Sequence, residues 1–118
     1  MFVARLGPDG RSDATYGATG IARGPIGPPE RVTLLLASAR GGVLVGGVTG
    51  TRYAATAVLS SFDAHGALDP TFGDHGMLHG EDAPVVVSSG TVDAHGRVVA
   101  VGTASAGALA LRWTPPGG

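Results

Sequence analysis

The chain has 118 residues, with eight Arg and no Lys against nine acidic residues, giving a net charge of −1. Its cations stand singly, so no basic stripe exists to neutralise a phosphate backbone, and nucleic acid is not expected as a partner. The absence of cysteine excludes disulfides, thiolate zinc sites and iron–sulfur clusters, and the longest apolar run, Val32 to Ala37 with one Thr, is too short to span a membrane.

There are 21 Gly and 8 Pro, an abundance that raises the question of disorder. Against disorder, 43% of the residues are apolar and many fall in β-branched blocks such as Val85-Val86-Val87. Met1 to Leu6 lacks a basic segment followed by a long apolar stretch, so no signal peptide is expected. In chain order, short apolar runs bounded by Gly, Pro, Asp or Ser predict strands at residues 2–6, 21–24, 31–38, 43–48, 53–62, 77–80, 84–93, 97–103 and 107–113. No segment has an amphipathic helical period of useful length. The connections Pro8-Asp9-Gly10, Ala39-Arg40-Gly41, Asp63-Ala64-His65-Gly66 and Asp93-Ala94-His95-Gly96 read as tight antiparallel turns, with Gly supplying positive φ.

The chain says nearly the same thing twice. Residues 10–17 (GRSDATYG) lie over residues 66–73 (GALDPTFG) at an offset of 56, and Gly20 falls on Gly76. At an offset of 55, Gly41-Gly42-Val43-Leu44-Val45 lies over Gly96-Arg97-Val98-Val99-Ala100. A period of this length implies a stacked supersecondary unit. The reading is one module over residues 1–118, with unit one at about 21–62, unit two at about 77–113 and a stray strand at 2–6.

Thr33-Leu34-Leu35-Leu36-Ala37, Val43-Leu44-Val45 and Val98-Val99-Ala100-Val101 do not alternate apolar with polar. Antiparallel strands of that kind need cover on both faces, which radially stacked four-stranded sheets provide. The expected fold is therefore all-β, a β-propeller-type repeat module of about two four-stranded antiparallel blades plus one extra N-terminal strand. An apolar strand, an Asp-x-x-Gly-like turn, Leu68-Asp69-Pro70-Thr71-Phe72-Gly73 and Gly76 then resemble the bacterial delta-60 repeat family. That resemblance implies propeller-type blades, brings no catalytic motif, and suggests an extracellular or cell-surface setting; the residues themselves leave the compartment open.

The motif has a physical reading of its own. Asp13 and Asp69 can accept from backbone N–H groups two residues on, and Pro70 presets φ for the turn. Tyr16 and Phe72 are the large aromatic residues at that phase, and each is expected to plug a seam between sheets. Gly17, Gly20, Gly73 and Gly76 flank them where the chain reverses. Trp113, at the phase of Leu6 and Phe62, is expected in the core or, at a terminal sheet, on an association surface.

Asp74, His75 and His79 could supply metal ligands, but a turn followed by a strand need not bring them together. Glu81 with Asp82, or Asp69 with Asp93, would be the paired carboxylates of a glycosidase, and nothing selects either. Ser88-Ser89-Gly90 lacks the elbow of a hydrolase nucleophile. No catalytic, metal or cofactor residue is assigned. The expected function is a non-enzymatic structural or binding scaffold that stacks on further blades or on copies of itself. The alternatives are a propeller-type hydrolase or lyase with a loop-borne active site, and a kelch-like interaction module.

Overall fold

All nine strands expected from the sequence are present, each within a few residues of its predicted bounds. The structure, a computed structural model, describes residues 1–24, 30–38, 40–51, 54–79, 85–104 and 107–114. The strands are β1 (Phe2–Ala4), β2 (Ile21–Arg23), β3 (Glu30–Ala37), β4 (Val43–Thr51), β5 (Ala54–Phe62), β6 (Met77–His79), β7 (Val85–Val92), β8 (Val98–Ala104) and β9 (Gly107–Trp113). Every pairing between them is antiparallel. Among the described residues there is no helix, and so none long and apolar enough to cross a membrane.

Four loops make the reversals in one way. In residues 7–11, 38–42, 63–67 and 93–97 the first N–H donates to the carbonyl of the fifth residue, at 2.8 to 2.9 Å. The fourth residue is always a glycine at positive φ: Gly10, Gly41, Gly66 and Gly96, between +76° and +84°. Only glycine takes that conformation without steric cost, and it leaves the outgoing strand with the twist a hairpin requires. Asp63 and Asp93 add a side-chain clasp, each accepting from two backbone N–H groups of its own loop.

The strands group into sheets of two, four and three: β1-β2, β3-β4-β5-β6 and β7-β8-β9. The sequence grouping, which follows the repeat, put residues 21–24 with the strands after them. In the structure each short strand instead returns to the strand before it, Ile21 to Ala4 and Met77 to Ser60. The cause is local. The loop between them closes on itself, and Gly76 O accepts from Ser61 N at 3.0 Å, so the chain leaves the loop already beside β5.

The three sheets stack. In the β3–β6 sheet, Leu34, Leu44, Ala57 and Leu59 meet Val87, Val98 and Ala100 of the last sheet. On the opposite face, Val45 and Phe62 meet Ala22 and Tyr16. Leu44, Val45, Gly46 and Gly47 are buried in succession, as are Ala57 to Ser60. Cover on both faces is therefore real for β4 and β5, and accounts for their unbroken apolar runs. Gly90 allows the layers to approach, since a methyl there would press on the Leu34 side chain of the neighbouring sheet, while a methyl at Gly46 would press on Leu34 and Leu59, its own cross-strand partners.

For β8 the same expectation fails. Val98 and Ala100 are buried, but Val101 is 45% exposed, so this strand has one covered face among the described residues. The outer face of its sheet carries smaller side chains, several of them polar, instead of leucines. Paired residues share a face, which puts Ser89 with Val101 and Ala110, and Thr91 with Val99. At the matching positions the β3–β6 sheet carries Leu34, Gly46, Leu59, Leu36 and Leu44. One sheet presents leucine outward and the other does not.

Candidate functional site

The two motif loops, residues 12–20 and 68–76, have the same conformation bond for bond. Asp13 Oδ1 accepts from Thr15 N at 3.0 Å and from Thr15 Oγ1 at 2.5 Å. Asp69 Oδ1 accepts from Thr71 N at 2.9 Å and from Thr71 Oγ1 at 2.7 Å. Tyr16 N donates to Asp13 O at 3.0 Å and Phe72 N to Asp69 O at 3.1 Å, while Gly20 N and Gly76 N donate to Tyr16 O and Phe72 O, each at 2.8 Å. Gly17 and Gly73 have φ of +56° and +54°; a methyl at either would collide with the carbonyl oxygen of Ile21 or Met77. Thr19 and His75 are also left-handed, at +57° and +51°.

That geometry throws one aromatic ring inward from each loop. Tyr16 is buried with Phe62, Val45 and Ala22. Phe72 is buried between the second and third sheets, where Trp113 leans on it with ring centroids 4.2 Å apart and planes tilted by 54°. Trp113 thus holds the place beside Phe72 that Phe62 holds near Tyr16. The Tyr16 hydroxyl is buried without a hydrogen-bond partner among the described residues, and its burial pushes its pKa up.

The loops differ in what lies over them. Across the first, Arg5 lays its guanidinium over the Tyr16 ring, 4.6 Å from the centroid. Its Nε and Nη2 both reach Asp13 Oδ2 at 2.9 Å, Nη1 donates to Ala64 O at 2.6 Å, and Nη2 also lies 3.4 Å from Thr15 Oγ1. The side-chain and backbone hydrogen bonds from Thr15, joined by Arg5, hold the Asp13 carboxyl below its usual range. Gly17 N donates to His65 O at 2.7 Å, so the whole first loop is docked on the β5–β6 side of the next sheet.

Across the second loop there is a cleft. It has a volume of 640 Å³ and runs between the turn ends of the second and third sheets. Leu44, Phe62, Phe72 and Trp113 line its apolar wall, and Ser61, Asp69, Thr71, Asp63 and Arg40 are among its polar groups. His65 and His95, at matching places in their hairpins, also line it.

The remaining candidate residues do not assemble. No group of three or more His, Cys, Asp or Glu side chains placed to share a metal ion occurs among the described residues. His75 Nδ1 is in hydrogen-bond contact with Asp74 Oδ1, both almost fully exposed, while His79 is an exposed residue of β6. Glu81 and Asp82 lie outside the described residues. Asp93 is committed to its own hairpin: desolvation raises its pKa, but bonds from the Arg97 side chain, at 2.6 Å, and from the Arg97 and His95 backbone outweigh it and bring the carboxyl down to about 2.

The sequence reading missed the cleft and Arg5. The signal was available: at the offset of 56 that aligns the two loops, Arg5 falls on Ser61, and a filled seam is thereby exchanged for an open one. In comparisons with known proteins, no family model, curated protein or solved structure matches this chain.

Proposed function

We propose that this protein is a non-enzymatic scaffold or binding module, a piece of a β-propeller-type stack of the kind the delta-60 resemblance implies, which acts by stacking on further sheets or on copies of itself. The observation that carries the reading is a mismatch in cover along β3. Val32 and Val87 hold matching places next to a register shift, in β3 and β7. Val87, under β3, is 1% exposed, whereas Val32 is 50% exposed and Leu35, further along the same strand, is 61% exposed. Phe2 and Leu6, at the first, two-stranded sheet, are likewise open to solvent. Val32 and Leu35 lie on the Val45 face of β3, turned towards the first sheet, and leave apolar surface open there, the kind that marks an interaction site.

Light scattering on the purified chain tests this. Association that is lost in Leu35→Asp, with the β-sheet circular dichroism kept, supports the reading. A monodisperse, folded wild-type monomer whose behaviour Leu35→Asp does not change overturns it.

A further inference from the structure

We propose that the cleft over the second motif loop binds a guanidinium group, that of an arginine side chain presented by a partner protein. The template lies within the molecule. In the first loop a guanidinium already occupies the corresponding seam, held by the Asp13 carboxylate, the Thr15 hydroxyl, a carbonyl of the adjoining hairpin and the face of Tyr16. The second loop repeats the carboxylate and hydroxyl as Asp69 and Thr71, with the same clasp between them. Its own chain supplies Ser61 where Arg5 stood, and the seam is open.

Three features suit the cleft to a planar cation. Asp69 spends Oδ1 on the loop, and Oδ2 has no partner among the described residues, matching the oxygen by which Asp13 holds Arg5. Phe72 and the half-buried Trp113 line the wall, and an indole face is the strongest aromatic site for a cation. Asp63 and Asp69 together outnumber the one arginine of the lining, Arg40. Guanidinium fits such a place better than ammonium, because it is flat, weakly hydrated and donates in a fork. Binding at this cleft is independent of the stacking proposed above.

The probe is N-acetyl-arginine amide, titrated at low ionic strength and followed by the fluorescence of Trp113, the only tryptophan. Saturable binding in the millimolar range is expected, with N-acetyl-lysine amide weaker and the neutral isostere N-acetyl-citrulline amide inert. Asp69→Asn, which keeps an acceptor for Thr71, is expected to weaken binding about tenfold. Ser61→Arg rebuilds the first loop's arrangement in the second; it is expected to abolish binding and raise the melting temperature. A peptide carrying one exposed arginine that binds more tightly than the free amide identifies a protein as the source of the group. The proposal is overturned if the wild type does not bind the arginine probe, if citrulline binds equally, or if both variants bind as the wild type does.

Discussion

Val32 and Val87 occupy one position in two sheets, and their fates differ only because β3 lies over β7 while no described strand lies over β3. In the middle sheet β4 and β5 are sandwiched, and their successive apolar residues are buried. The last sheet is covered once, and its outer face holds Ser89, Thr91 and Ala110 where the middle sheet holds leucines. Apolar content in this protein thus follows cover strand by strand. The exceptions are Val101 on that outer face, Val32 and Leu35 in β3, and Phe2 and Leu6 at the first sheet.

The sharpest way to break this comparison is to place a charge at both positions. Val87→Asp buries an unpaired carboxylate among the leucines and is expected to cost about 5 kcal/mol or more, enough to unfold the chain. Val32→Asp should cost less than about 1 kcal/mol in urea unfolding while reducing association. Equal losses at the two positions would mean that β3 is covered in solution.

The aromatic plugs come next. Phe72→Ala and Tyr16→Ala should each cost about 3–5 kcal/mol by denaturant titration, as large-to-small changes in a filled seam. Tyr16→Phe should instead stabilise by about 1 kcal/mol, since it removes a buried hydroxyl that has no partner among the described residues. A loss in Tyr16→Phe would show that the hydroxyl is satisfied.

Smaller effects separate the motif loops from the hairpins. Gly17→Ala and Gly73→Ala combine positive φ with a collision against a backbone carbonyl, and each should lose about 2–3 kcal/mol. Gly10→Ala has the same backbone penalty with open space around it, and about 1 kcal/mol is expected. Melting temperatures of the three variants rank them directly.

The gentlest test is acid. The Asp93 carboxyl is depressed to about 2 in the folded chain, so its contribution is fully present above the ordinary carboxylate range and is lost as pH falls from about 4 towards 2. Asp13 and Asp63 are shifted the same way, Asp63 chiefly by the Ala67 N–H. Asp93→Asn should flatten that part of the stability profile, whereas variants in the 38–42 hairpin, which opens with Ser38, should not.

Local chemistry made much of this fold readable from the residues. Each hairpin glycine has one conformation to supply, and the Asp-x-Thr clasp needs nothing beyond its own loop, so both could be foreseen. Tyr16 and Phe72 stood out because large aromatic residues are rare in this chain. Which neighbour a three-residue strand such as Met77–His79 joins could not be foreseen, because three residues carry no pattern that distinguishes one edge from another. The single cover of β8 was hidden for a related reason. Val98-Val99-Ala100-Val101 looks as doubly buried as Val43-Leu44-Val45, and the difference lies in the strands beside it, where Ser89 and Thr91 replace leucines. The cleft depended on a still longer-range fact, the loss of one arginine from a seam assembled by residues far apart in the chain.

The hydroxyl-bearing outer face of β7–β9, where Val101 is the one large apolar side chain exposed among the described residues, makes the two ends of the stack chemically unequal. Under the stacking proposed above, copies that associate through Val32 and Leu35 would meet about a twofold axis, and a contact of that kind uses itself up, leaving a closed pair.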